Sequence, residues 1–343
     1  MTFQSQHRLQ QLELFVTDSE VKPIKADPWL LTSLLQKAIR RGDVLTAKRA
    51  ASSLWQIDRQ RLWRRLHIIA LEDISIADLE TVLDSLHVTA NPIWRRKVGD
   101  RQMAVLLAER LSKAVKCRVA DHLLIHAEKG HRPYPPVQLT DMAADIGDRA
   151  RGLWLLAGTR KYPSDRLPKA QGDYDRLIEL LYELGVSPDI VDAALSVASR
   201  SPWPLAVMLP LICQVYDQPG HLTQIVTQPL DKGLTAKSVP TYAADMFTRV
   251  GRESYRAWRD GAKALQPFSI DQIGMAVFYE EGCKVNRLLT SPALTALETS
   301  AELLDGESVG LIAPEFLGLR DLVRNDLPAL QEIRATKLNR LLA

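Results

Sequence analysis

The sequence predicts an all-α protein, a multi-helical array of short helices preceded by a flexible N-terminal arm. Three observations carry that prediction. Apolar residues recur at helical spacing along most of the chain, Asp, Ser, Gly and Pro punctuate them as caps and stops, and alternating β-branched runs bounded by Asn-Gly or Asp-Gly turns are missing. At 343 residues, 46% hydrophobic and 25% charged, the chain is long enough to bury a sizeable core.

Residues 1–27 are mostly polar, with one short apolar cluster at Leu12, Leu14, Phe15 and Val16, and read as a flexible arm. Asp27-Pro28 then opens a helix through Leu30, Leu31, Leu34, Leu35, Ala38 and Ile39, which Gly42 stops. Val44 to Leu54 carries the next apolar face, and Asp58 caps a helix with Leu62, Trp63, Leu66, Ile69 and Ala70 inside. Helical spacing continues over Ser75–Leu86, from Asp100 to Val115, and over Val119–Glu128. Breaks follow at 130–136 and 158–172, where Gly and Pro cluster, separating a basic helical, collar-like domain at 28–130 from one or more C-terminal helical domains at 131–343. Helices are expected near 173–184, 188–199, 204–216 (interrupted at Pro210), 236–261, 269–286, 292–304 and 314–342.

Charge is balanced, with 44 basic against 41 acidic residues for a net +3, so no global field draws the protein onto nucleic acid or anionic lipid. Cys117, Cys213 and Cys283 are widely spaced and form no CxxC pair, which fits a reducing cytoplasm and no cysteine-built zinc site. Neither a signal peptide nor a run of 18 apolar residues occurs, so a cytoplasmic protein with no membrane partner is expected.

The sharpest motif is Gln11-Leu12-Glu13-Leu14-Phe15. A short peptide of this kind gains affinity by seating adjacent aliphatic and aromatic side chains in a preformed apolar groove, while an amide fixes register at the rim. It resembles the QL(S/D)LF peptide with which bacterial polymerases, mismatch-repair factors and replication regulators bind the DNA polymerase sliding clamp. The resemblance implies Leu14 and Phe15 as anchors, Gln11 as the register residue and Leu12 as a supporting contact. Glu13 stands where that family carries Ser or Asp. The competing expectation is a docked N-terminal helix whose apolar face includes Leu12, Phe15 and Val16.

Residues 35–71 hold Lys37, Arg40, Arg41, Lys48, Arg49, Arg59, Arg61, Arg64 and Arg65 against only Asp43 and Asp58. Forked guanidinium groups suit phosphate, so Lys37, Arg40, Arg41, Lys48, Arg49, Arg61, Arg64 and Arg65 are candidates for weak contact with a DNA backbone. The alternative is a solvated helix face balanced by Glu72, Asp73, Asp78, Glu80 and Asp84. The stretch Leu35–Asp43, the small residues of Ala47–Leu54, and Leu62-Trp63-Arg64-Arg65-Leu66 running to Glu72-Asp73-Ile74 also resemble the helical region that follows the ATPase module of the replication-associated recombination ATPases (the RarA or MgsA family). That likeness covers roughly residues 30–130 and implies a helical collar or oligomerisation scaffold, with homo-oligomers among the possibilities. Ser75 stands where that family has Gly. No GxxxxGK[ST] loop occurs, so ATP hydrolysis is not implied.

No catalytic residue, cofactor or metal site is assigned, since nucleophile-elbow and dinucleotide motifs are absent. His122 and His126, four apart on one helical face, leave open a metal-dependent hydrolase, although no HExxH pattern accompanies them. A second basic-aromatic stretch, Thr248–Arg259, reads as an amphipathic helix with Tyr255 and Trp258 inward and its arginines in water. Those arginines could equally hold phosphate or a partner's carboxylates. Together these observations predict a non-enzymatic accessory or regulator of DNA replication or repair, recruited through the sliding clamp. A scaffold in a mobile-element or phage-defence assembly is the remaining alternative.

Overall fold

The computed structural model describes residues 3–15, 21–129, 145–157, 174–198, 205–216, 223–230 and 233–343. The breaks expected at 130–136 and 158–172, and Val16, lie outside them. Eight helices come first: α1 (Phe3–Glu13), α2 (Pro28–Arg40), α3 (Val44–Ile57), α4 (Arg59–Ile69), α5 (Leu79–Ala90), α6 (Pro92–Val98), α7 (Asp100–Lys113) and α8 (Val119–Lys129). Then follow α9 (Ile146–Ala157), α10 (Tyr174–Glu183), α11 (Pro188–Ala198) and α12 (Leu205–Tyr216). The last third contains strands β1 (Gln224–Thr227), β2 (Thr235–Ala236), β3 (Val239–Pro240) and β4 (Arg287–Thr290), with helices α13 (Arg249–Gly261), α14 (Ile270–Val277), α15 (Pro292–Ser308) and α16 (Ala313–Leu341).

The fold is all-α, and its starts are set locally. Asp27 accepts from the backbone N–H groups of Trp29 (2.9 Å) and Leu30 (3.1 Å), with Pro28 in the first turn of α2. Asp43, Asp58 and Asp78 cap α3, α4 and α5 in the same manner. Two short antiparallel pairs, β1 with β4 and β2 with β3, are the additions the sequence pattern did not predict. Within the expected 236–261 segment the α-helix covers 249–261, preceded by a short 3-10 turn at Thr241–Ala243, and α12 continues through Pro210 instead of breaking there.

Helix α2 packs on α3, α3 on α7, α8 on α15, and α11 on both α5 and α12. One apolar core runs from Leu9 through Leu34, Leu66, Leu107, Leu123, Leu153 and Leu211 to Leu338, so it does not divide at 130/131. A smaller core gathers Tyr255, Trp258, Ile273, Phe316 and Leu330 between α13, α14 and α16.

Residues 3–13 are helical, and α1 lies on α5 with Leu9 and Leu12 in the main core. Burying two leucines is worth roughly 1.5–3 kcal/mol each. Residues 21–26 run along the body as a strap. Val21 and Ile24 are buried, the Ile24 N–H donates to Ser53 Oγ (2.7 Å), and Arg49 and Arg101 donate to the carbonyls of Lys22 and Val21.

Candidate functional site

At the N-terminus, α1 splits the pentapeptide between two environments. Leu9 and Leu12, three apart, face inward, and Arg8 beside them reaches Asp84 (3.2 Å) and Asp189 (3.7 Å). The final turn closes by Leu14 N–H to Gln11 O (3.2 Å) and Phe15 N–H to Leu12 O (3.1 Å). Leu12 is 1% exposed, whereas Leu14 and Phe15 are 82% and 59% exposed. Gln11 is exposed and its amide lies 3.1 Å from His7 Nε2. The helix thus holds Leu12 against the body and leaves Leu14 and Phe15 in solvent.

The basic block is drawn mostly inward, which corrects several of its candidate DNA contacts. Lys37 is buried in an ion pair with Asp245, which also accepts from Ser33 Oγ (3.0 Å). Burial pulls the Lys37 pKa down, against the attraction of Asp245. Arg40 is buried across Asp73 (2.7 Å) and Glu72 (2.8 Å), and donates to the Gly282 carbonyl (3.0 Å). A DNA backbone cannot reach either cation without dismantling these pairs, because a buried charge stripped of its partner is strongly unfavourable.

Arg41 lies over the Tyr242 ring (4.4 Å) and donates to Glu281 O (3.0 Å). Lys48 pairs with Glu109 (2.7 Å), and Arg65 donates to Gln36 (3.2 Å). Arg61 pairs with Asp58 (3.1 Å) and covers the Trp29 ring (4.3 Å), while Arg49 holds the strap at Lys22. Of the eight candidates, Arg64 is the one exposed cation with no partner among the described residues.

What the block builds instead is a hub between two π-helical turns, Ala70–Ile74 and Phe278–Gly282, each carrying an acidic pair. Such turns interrupt α-helical hydrogen bonding and recur where side chains must be re-aimed. In the first, Glu72 and Asp73 accept from Gln36 and Arg40, and Arg118 stands 3.5 Å from Asp73 while pairing with Asp121. In the second, Glu280 holds Arg320 (2.7 Å) and Arg324 (2.9 Å), and Glu281 holds Arg334 (2.5 Å), whose guanidinium also meets Tyr255 Oη (3.2 Å). Arg40 joins the two turns. Gly42 ends α2 with φ +69° directly against the Asn286 side chain, and Asn286 N–H donates to Arg40 O (3.1 Å).

Burial, then the Asp73 and Asp121 carboxylates, push the Glu72 carboxyl up to about 7. Burial holds the His67 imidazole down at about 4 and keeps those of His87, His122 and His126 low as well. These shifts have opposite consequences for stability. Histidines with depressed folded pKa values lose stability as pH falls from about 6.5 towards 4, because the unfolded chain takes up the protons first. Glu72, with a raised folded pKa, loses stability as pH rises from about 4.5 through 7. Denaturant titrations from pH 4 to 9 are therefore expected to show a stability maximum near pH 6. Glu72→Gln should flatten the alkaline limb, which runs from the maximum near pH 6 through about 7, by about 1 kcal/mol. An unchanged alkaline limb in that variant would remove Glu72 as its cause.

His122 and His126 share a face of α8, but the Nε2 atoms of both are buried without a hydrogen-bond partner. Among the described residues, no three His, Cys, Asp or Glu side chains converge as a metal site requires. Cys117 is buried and its thiol is pushed up to about 12, which makes it inert as a nucleophile at neutral pH. Lys116, also buried, directs its ammonium at the carbonyls of Ser112 (3.0 Å) and Ala114 (2.5 Å), capping the end of α7.

Sequence reasoning did not identify Asp245, Glu280 and Glu281 as parts of the hub. Their partners lie far away in the chain, and a pair of acids inside an apolar helical pattern, as in Glu72-Asp73 and Glu280-Glu281, is the one local signal that could have marked them. No helix among the described residues is long and apolar enough to cross a membrane. No protein-family model, no curated protein and no solved structure matches the chain.

Proposed function

We propose that this protein is a non-enzymatic accessory or regulator of DNA replication or repair, recruited to the DNA polymerase sliding clamp by Gln11, Leu12, Leu14 and Phe15. The observation that carries the proposal is the exposure of Leu14 and Phe15, adjacent apolar side chains held in water at the end of α1. A monomer gains nothing from leaving that pair uncovered, and a partner's apolar pocket would gain roughly 1.5–3 kcal/mol from each. The likeness of residues 30–130 to the collar region of the RarA or MgsA family supports the same setting.

Binding to purified sliding clamp, measured for the intact chain and for Leu14→Ala/Phe15→Ala, tests the proposal. The double variant is expected to bind at least about 30-fold more weakly, near 2 kcal/mol, with thermal stability unchanged because both side chains are already solvated. Equal affinity for the two proteins, or no binding by either, would overturn it.

A further inference from the structure

We infer that the exposed face of α13 is a second contact surface, an arginine stripe that grips the phosphodiester backbone of double-stranded DNA. Arg249, Arg252, Arg256 and Arg259 recur at steps of three, four and three residues. With 3.6 residues per turn they fall within roughly 80° of one another and extend for about 15 Å along the helix. Lys263 follows just past the helix end. The opposite face of α13 is fixed by burial of Val250, Ser254, Tyr255 and Trp258, whose indole N–H donates to Asp326 (2.8 Å), so the stripe cannot rotate inward.

These cations lie nearer the surface than Lys37 and Arg40, which are buried in ion pairs. Arg249 has 93% of its side chain exposed, and Arg256 is exposed with no partner among the described residues. The facing acids are Glu253 (2.8 Å from Arg249), Asp260 (3.1 Å from Arg259) and Asp271 (2.7 Å from Arg252). All three pairs are at the surface, where such contacts contribute about 0–1 kcal/mol and exchange readily for phosphate.

Charge complementarity and shape favour a nucleic-acid backbone over an acidic peptide. Phe247, two residues ahead of Arg249, is 62% exposed, and the other apolar residues exposed on α13 are the small Ala257 and Gly261, so among the described residues the length of the stripe itself carries no large apolar side chain for a peptide's anchor to meet. A backbone of evenly spaced phosphates needs only a row of forked donors, and about 15 Å of duplex presents roughly four phosphates per strand. This surface does not depend on the clamp proposal, since DNA alone is its ligand.

The test is binding of the full chain to a random-sequence 20-base-pair duplex across a salt series. The expected result is measurable binding at low salt, weakened at least tenfold by Arg249→Gln/Arg252→Gln/Arg256→Gln/Arg259→Gln. The slope of log K against log salt should become shallower by about 3–4, or by about 1 for Arg256→Gln alone, which breaks no ion pair. A matched set at the other basic surface, Arg59→Gln/Arg61→Gln/Arg64→Gln, should bind nearly as the parent does, and melting curves check that every variant is folded. Four outcomes would overturn the inference: no duplex binding by the parent, an unchanged slope in the α13 variants, an equal loss in the matched set, or displacement of DNA by polyglutamate at equal charge concentration.

Discussion

Arg40→Ala is expected to destabilise the protein by about 3–5 kcal/mol, the range for removing one partner of a buried ion pair. Arg40 is 2% exposed and spans three acceptors, the carboxylates of Asp73 and Glu72 and the Gly282 carbonyl. Its loss leaves Asp73, which is fully buried, facing Arg118 at 3.5 Å as its remaining close cation. It also removes the link between the two π-helical turns, so the effect should reach both acidic pairs. Combining Arg40→Ala with Asp73→Asn should recover part of the loss, because the uncompensated carboxylate is gone, giving a coupling of roughly 1–3 kcal/mol in a double-mutant cycle. Denaturant unfolding of the four proteins measures it. A loss under about 1 kcal/mol in the single variant, accompanied by weaker DNA binding, would return Arg40 to the role of a phosphate ligand.

Gly251→Ala should be comparably severe, about 3 kcal/mol or more, although it adds a single methyl group. A Cβ at this position would lie 1.9 Å from the carbonyl oxygen of Asp245 and 2.5 Å from its carbon. That carbonyl already accepts from the Thr248 N–H (3.0 Å) and Thr248 Oγ1 (2.9 Å), so it has no freedom to retreat. Either α13 lifts from the segment before it or Asp245 moves, and movement of Asp245 would take the counter-ion of Lys37 with it. Overpacking of a rigid backbone contact belongs to the short list of mechanisms that produce such large effects. A melting temperature within 2 °C of the parent would show that this approach can relax.

The helical fold was readable in the chain because its determinants are local. Asp27-Pro28 and Asp58 predicted starts that the capping hydrogen bonds then satisfy, and the spacing of Leu30, Leu31, Leu34 and Leu35 predicted the buried face of α2. Where pairing is long-range, the pattern was silent. β1 meets β4 across some sixty residues with strands of four residues each, too short for alternation to register. Pro210 was read as a break, yet α12 is buried along nearly its whole length, and packing outweighs the lost hydrogen bond there.

The candidate site divides along the same line. Leu14 and Phe15 are exposed, and the motif they belong to was visible because it is contained in five consecutive residues. Lys37 and Arg40, in contrast, looked like surface cations because their partners Asp245 and Gly282 lie about two hundred positions further on.

The seat of Leu12 under α1 makes attachment through the N-terminus a competition for one side chain. Any receptor that needs Leu12 must first draw it out of the core as α1 leaves α5, and release Arg8 from Asp84 and Asp189, so only the undocked fraction of molecules is ready to bind. Apparent affinity then falls in proportion to that fraction, by about tenfold for each 1.4 kcal/mol with which the helix prefers the body. Towards such a receptor the body would act as a throttle on the N-terminal helix, and changes at Asp84 or Asp189, remote from Leu14 and Phe15, would reset the apparent affinity.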